Sequence, residues 1–345
     1  MGRPRNLRPQ LRRDSLGSAL NRSYTRGIAV TAKKIIAVVG ATGAQGGGLV
    51  RAIMSDKSGP FAARALTRDV KSDKARALAA LGAELVAADI DDVESLKHAF
   101  AGAYGAYCVT FFWAHFSAEK EIAEARSMAQ AAKHAGVQHA IWSTFEDTRE
   151  WVPLSDNRMP TLQGKYKVAH FDGKAEANAE FTKLDVPTTF LLTSFYWDNM
   201  IYFGAGPKKG PDGKLALTYP MGNKKLPGMA AEDIGKCAYG IFKRGREFIG
   251  TTVGIAGEHL TGAQMAASLT KALGQEVRYN DVPPDVYRAF GFPGSDDMGN
   301  MFQFKRDFEK DYCGARSLDV SRALNPALQT FDQWLAQNKS RIPIE

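Results

Sequence analysis

Cysteine is scarce: the 345 residues contain three, Cys108, Cys237 and Cys313. They lie far apart and form no C-x-x-C pair, which argues against a disulfide framework or a thiolate zinc site. No apolar run reaches the roughly 18 residues that a membrane span needs. Acid is nearly missing from residues 1–32, where Asp14 stands against seven arginines, so most of the net charge of +8 sits there. The rest of the chain holds 38 basic and 36 acidic residues, with no basic stripe interleaved with aromatics. Direct contact with nucleic acid is therefore not expected. The arginine-rich, serine-containing, acid-poor start has the composition of an organelle transit peptide or of a disordered extension. Its deletion is expected to leave the melting temperature unchanged, because it offers too little apolar surface to offset ordering entropy. A clear drop by calorimetry would show that it packs on the rest.

The organising stretch is Lys33–Val50, KKIIAVVGATGAQGGGLV. Ile35–Val39 reads as a strand buried on both faces. Gly40, Gly43 and Gly46 follow as G-x-x-G-x-x-G and lead into a helix. Such a turn lets the backbone approach a ligand and aims the free N–H groups of the helix start at it, an arrangement that suits a pyrophosphate.

From there strand and helix alternate. Strands are expected near Ile35–Val39, Ala62–Thr67, Glu84–Ala88, Ala106–Val109, Ala140–Ser143 and Thr188–Leu192. Helices are expected near Gln45–Ser55, Ser72–Leu81, Val93–Ala99 and Ala118–Ala135. This is the pattern of an α/β, Rossmann-type doubly wound parallel sheet over residues 33–200. Residues 201–345 read as a smaller α+β lobe interleaved with that core. Within it 204–228, rich in Gly, Pro and Lys, reads as a loop with one hairpin. Thr252–Ala256 reads as a strand, Glu232–Phe242, Gly262–Leu273 and Asp296–Phe308 as helices. The stretch 204–228 and the loop Glu146–Gln163 are the expected mobile elements.

The end of the second strand lacks the acid that would bond a ribose 2′-hydroxyl. It carries Arg68 instead, which can form a fork of bonds to a 2′-phosphate, so NADP(H) is expected over NAD(H). Asp89 closes the third strand and either meets adenine or caps the next helix. Thr110, Phe111 and Phe112 follow the fourth strand and either wall a ligand or fill the core. Ser143 and Thr144 end the fifth. Lys174 has no tyrosine four residues before it. That place belongs to His170, which either moves a proton or, the favoured reading, is structural. Tyr166, two helical turns from Lys174 on the same face, is too far away to replace the tyrosine.

VVGATGAQGG, LTRD, GAYGAYCVTFFW, AHFDGKAEA, YWDN, GFPGSDDMGNMF and NPALQTFDQWLAQNK together resemble the NmrA-like family of atypical short-chain dehydrogenase/reductases, over nearly all of 33–340. The resemblance implies an NADP(H)-binding redox sensor or regulator that lacks the catalytic tyrosine and works through protein partners. A homodimer, and a cytoplasmic location shared with the nucleus, are compatible with it. It implies that Gly40, Ala41, Thr42, Gly43, Ala44 and Gln45 hold the pyrophosphate. Arg68 would meet the 2′-phosphate with Ser72 beside it, and Asp89 and Ile90 would flank adenine. Thr110, Phe111 and Phe112 would line the ribose and nicotinamide side. Lys174 would reach the nicotinamide ribose, and Tyr196, Trp197, Asp198 and Asn199 would close over the ring. The alternative is an NADPH-dependent reductase of the isoflavone-reductase type using Lys174. Ser72 and Ala123 stand where sensors of the family carry basic residues.

Overall fold

The computed structural model describes residues 32–344. The readings made for residues 1–31 lie outside that range. Strand and helix alternate through β1 (Lys34–Val38), α1 (Ala44–Ser55), β2 (Phe61–Thr67), α2 (Asp73–Ala80), β3 (Glu84–Ala87), α3 (Val93–Phe100), β4 (Gly105–Cys108), α4 (Ala118–His134), β5 (His139–Thr144), α5 (Ala169–Thr182) and β6 (Thr188–Leu192). Side-chain alternation along the strands divides them between two cores. Ile36, Val38, Tyr107 and Ile141 point to the face covered by α1. Ala37, Val39, Ala106, Cys108, Ala140 and Trp142 point to the face covered by α3, α4 and α5. Burial on both faces is why these strands read as continuous apolar runs rather than alternating ones.

The chain continues through β7 (Phe195–Tyr196), α6 (Asn199–Tyr202), β8 (Lys208–Lys209), β9 (Leu215–Tyr219), β10 (Lys225–Met229), α7 (Ala231–Arg244), β11 (Thr252–Gly254), β12 (Glu258–Thr261), α8 (Gly262–Leu273), β13 (Val277–Asp281), α9 (Pro284–Arg288), α10 (Ser295–Asp307), α11 (Glu309–Gly314), α12 (Leu318–Leu324) and α13 (Phe331–Asn338). The main sheet has seven parallel strands in the order β11-β6-β5-β4-β1-β2-β3. The order reverses between β1 and β4, the switch point outside which ligands of such sheets bind. Two three-stranded sheets, β12-β10-β7 and β13-β9-β8, form the smaller lobe with α8 to α11 and α13.

Four expectations need correction. Thr252–Ala256 does not belong to the smaller lobe. Its strand, β11, pairs with β6 and forms the edge of the main sheet, Thr252 opposite Phe190 and Gly254 opposite Leu192. The strand itself is legible in the sequence, but its partner is not, because the residues of a short strand do not name the sheet they join. α7 likewise returns to the main sheet and crosses α1 at two glycines. A Cβ on Gly48 would stand 2.8 Å from the Glu232 carbonyl oxygen, and one on Gly235 would stand 2.0 Å from the Leu49 nitrogen. The stretch 204–228 contains the hairpin β8–β9 but also most of β10, the central strand of its sheet. Pro227 and Gly228 disguise it; a Cβ on Gly228 would lie 2.4 Å from Trp197 Nε1. The loop Glu146–Gln163 is anchored as well. Val152 and Met159 are buried, and Lys167 Nζ donates to the carbonyls of Asp156 and Met159, both at 2.8 Å.

Candidate functional site

The glycine turn lies at the carboxyl end of β1. Gly40 has φ +63°, a conformation other residues adopt at a cost. Gly46 lets α1 settle on the turn, since a Cβ there would stand 2.5 Å from the Gly40 carbonyl oxygen. Gly40, Gly43 and Ala44 are exposed, Thr42 and Gln45 are half-buried, and Ala41 is buried and can offer only backbone. α1 begins without a side-chain cap. The helices α2, α3, α4, α8, α12 and α13 each start on one. Two further helices borrow theirs: Asp297 accepts from the first N–H groups of α5, and Asp198 from that of α7. Among the described residues the N–H groups of Ala44, Gln45 and Gly46 have no acceptor. Free donors at a helix start on a flexible turn are the requirement for an anion.

Arg68 leaves the end of β2 exposed and, among the described residues, without a hydrogen bond or ion pair. Ser72 beside it is occupied. It caps α2, accepting from Ala75 N–H at 3.3 Å and donating to the Asp69 carbonyl at 2.9 Å. Asp89 does not cap α3; Asp92 does, accepting from Glu94 and Ser95. One Asp89 oxygen accepts from Asp91 N–H at 3.1 Å. Ile90 packs half-buried against the α3–α5 core.

Lys174 and His170 face the loop after β4, and both are engaged. Lys174 Nζ lies 2.6 Å from Glu121 Oε2 and donates to both the hydroxyl and the carbonyl of Thr110. The Thr110 hydroxyl also donates to Glu121 Oε2 at 2.8 Å. Lys174, Thr110 and Glu121 are all buried. Thr144, at the end of β5, donates to the Lys174 carbonyl at 3.0 Å and fixes α5 on the sheet. His170 hydrogen-bonds through Nδ1 to Asp297 of α10. Its ring is enclosed by Phe112, Trp113, Phe145 and Phe171, with centroids 4.7–5.9 Å away. A cavity of about 300 Å³ lies beside this pair, bordered by Phe116, Gln163, Gly294 and Asp297.

Several expected lining residues are engaged within the protein. Phe112 is buried in a small cluster with Ala118, Tyr166 and Ala169. Tyr166 precedes α5 rather than lying on it, because the helix starts only at Ala169; its hydroxyl donates to Glu119 at 3.2 Å. Tyr196 turns beneath the glycine turn, where its hydroxyl accepts from Gln45 at 2.6 Å and pairs with Thr193 at 3.1 Å. Tyr107 donates to the other end of Gln45. Burial pushes the Tyr196 hydroxyl up to about 12. Trp197 is core, packed against Phe331 and Trp334. Asp198 is spent on Ala231 N–H at 2.8 Å, and Asn199 opens α6 half-buried. Phe111, by contrast, is 52% exposed and stands 6.4 Å from Phe203.

Glu121 and Asp297 were missed in the sequence. Glu121 had a signal: it lies in line with Ala125, Met128 and Ala132 on the buried stripe of α4, and a carboxylate inside an apolar stripe requires a partner. Asp297 had none, being 127 positions from His170.

Comparison with known proteins agrees with this architecture. The sequence pattern of the NmrA-like family matches residues 32–335. The NmrA-like family domain-containing oxidoreductase FrzB of Cladobotryum sp is 28% identical over 284 residues, 78% of this chain and 83% of that protein. An NmrA-like family domain-containing protein of Dictyostelium discoideum is 29% identical over 261 residues, 74% of this chain and 82% of its own. Among solved structures, the negative transcriptional regulator NmrA in complex with NADP superposes with a TM-score of 0.72 at 24% identity, over 88% of this chain and 95% of that one. The triphenylmethane reductase of Citrobacter sp complexed with NADP(H) gives 0.66 at 20% identity, over 88% and 99%. No helix among the described residues is long and apolar enough to cross a membrane.

Proposed function

The chain belongs to the NmrA-like family, and from that premise we propose that it binds NADP(H) and acts as a redox-responsive regulator through a protein partner, not as a fast reductase. The features that fit the cofactor are its own. The uncapped start of α1 and the Gly40 turn accept the pyrophosphate, and unpaired Arg68 accepts the 2′-phosphate. When bound, NADPH supplies a hydride. Turnover would also need a proton donor beside the acceptor.

One observation carries the regulatory reading. The two residues placed to give that proton are both committed. All three donors of Lys174 are taken by Thr110 and Glu121, and the His170 ring is tied to Asp297 inside an aromatic cage. Binding without turnover suits a sensor, provided one redox form favours one conformation or partner.

A reductase using Lys174 is the second reading, favoured by the oxidoreductase names of relatives such as FrzB. The test is a screen of carbonyl, enone and quinone acceptors with NADPH, run beside His170→Tyr. The wild type should stay below about 1 s⁻¹, the low end of ordinary enzyme turnover. Faster turnover would decide for the reductase.

A further inference from the structure

α4 carries two carboxylates into the protein. Glu121 is wholly buried and Glu124 is 4% exposed. One oxygen of Glu121 holds Lys174. The other, Oε1, has no hydrogen bond and faces His115 Nε2 at 3.7 Å. Glu124 Oε1 stands 3.6 Å from the same nitrogen, and its Oε2 also lacks a partner. His115 Nε2 thus points between two buried carboxylates.

The other ring nitrogen decides what Nε2 carries. Nδ1 accepts the Ser117 N–H at 3.1 Å, so it presents a lone pair and the proton of the neutral ring is on Nε2. This argues against a metal ion. The three ligand atoms lie within 4.8 Å of one another, but ligation through Nε2 needs a lone pair there and a proton on Nδ1. What the cluster can hold is a proton. Two adjacent carboxylates in a dry site resist being ionised together. Lys174 compensates Glu121. Among the described residues the cation within ion-pair reach of Glu124 is Lys120, at 3.9 Å, and Lys120 is drawn away to Asp91 at 2.8 Å. Burial, then the neighbouring Glu121 and Asp91, push Glu124 up to about 7. Burial holds the His115 imidazole below its ordinary value, so it stays neutral.

We propose that Glu121 is the positioning residue for Lys174, and that Glu124 with His115 keeps an exchangeable proton behind that contact. The inference rests on the NADP(H) reading above. With the proton in place, Lys174, Glu121 and Glu124 sum to zero; without it they carry one negative charge. The charged groups facing Glu124 are Glu121, Lys120 and His115 from α4 and its approach, Asp91 from the turn before α3, and Lys174 from α5. On that reading Lys174 lies on the nicotinamide side of the bound cofactor, and the oxidised ring carries a positive charge that the reduced ring lacks. Oxidised cofactor should therefore release the Glu124 proton, and the reduced form should not.

The test is calorimetry of the full chain with NADP⁺ and with NADPH at pH 6, 7 and 8. Two buffers of different ionisation enthalpy count the protons. Affinity for NADP⁺ relative to NADPH should rise about 2- to 5-fold across this range, with about 0.2–0.4 of a proton released at pH 7 for NADP⁺ alone. Glu124→Gln should abolish both effects. Glu121→Gln should move the pH dependence to lower pH, because it removes a neighbouring carboxylate that opposes ionisation of Glu124, whereas Glu121→Asp, which keeps that charge, should stay near wild type. The wild-type proton count stands alone if a variant fails to fold. A pH-independent ratio, proton release that survives Glu124→Gln, or stoichiometric zinc in the purified protein would overturn the proposal. Failure to bind either cofactor at any pH would instead strike the NADP(H) reading beneath it.

Discussion

Arg68→Ala is expected to weaken NADPH binding by roughly 10- to 100-fold and to leave NADH nearly unchanged. A charge-assisted fork to a phosphate contributes on the order of 1.5–3 kcal/mol, which sets that range. Neighbouring groups cannot take over the whole role. Ser72 would have to give up the α2 cap. Arg76 pairs with Asp73 and with the Lys71 carbonyl. Lys71 is exposed and can keep part of the attraction as a point charge, which pulls the loss toward the lower end. Arg68→Lys should fall between wild type and alanine, because it keeps the charge and loses the planar fork. Titration of both coenzymes by nicotinamide fluorescence checks this, and equal wild-type affinity for NADH and NADPH would sink it.

Gly235→Ala should be among the most damaging small substitutions in the described residues. The added methyl would meet the Leu49 nitrogen at 2.0 Å and the Gly48 carbonyl carbon at 2.2 Å. Both are backbone atoms of α1, so no side chain can swing aside. Helix must separate from helix, at a cost of about 3 kcal/mol or more, the upper part of the overpacking range. That corresponds to a fall in melting temperature of roughly 5 °C for a chain of this length, at about 2.1 cal/mol/K of unfolding entropy per residue. The cofactor should feel it too, because α1 presents the free N–H groups. Gly314→Ala is the matched control: a Cβ there meets nothing within 4 Å. Two variants with the same melting temperature would disprove the close crossing.

The sequence was most legible where local chemistry and fold agree. The turn at Gly40 to Gly46 declared its strand, its bend and its helix together, and six strands of the main sheet could be placed from apolar runs and the helices between them. It was least legible where a residue's role depends on a distant partner. Trp197 and Tyr196 sit side by side, yet one packs on Phe331 and the other reaches Gln45. Nothing within YWDN separates those fates. Lys174 was visible; that Glu121 holds it was not, because α4 and α5 meet only in the folded chain. Asp89 has the residue type and place of a cap in sequence, but the backbone after β3 gives that role to Asp92. Glycine misled in the opposite direction at Gly228, where a residue that reads as loop makes room for an indole.

The return of β11 to the main sheet has a consequence during synthesis. β6 emerges from the ribosome with one side unpaired, and its neighbour is still unmade. Roughly sixty residues must be added first, which at about 5–20 residues per second leaves that edge open for roughly 3–12 s. In the interval β6 presents buried-type side chains and an unsatisfied ladder, an invitation to wrong pairing. The nascent chain should therefore lean on chaperones at this stage, and a fragment ending near residue 200 should be retained by them rather than released as a soluble half.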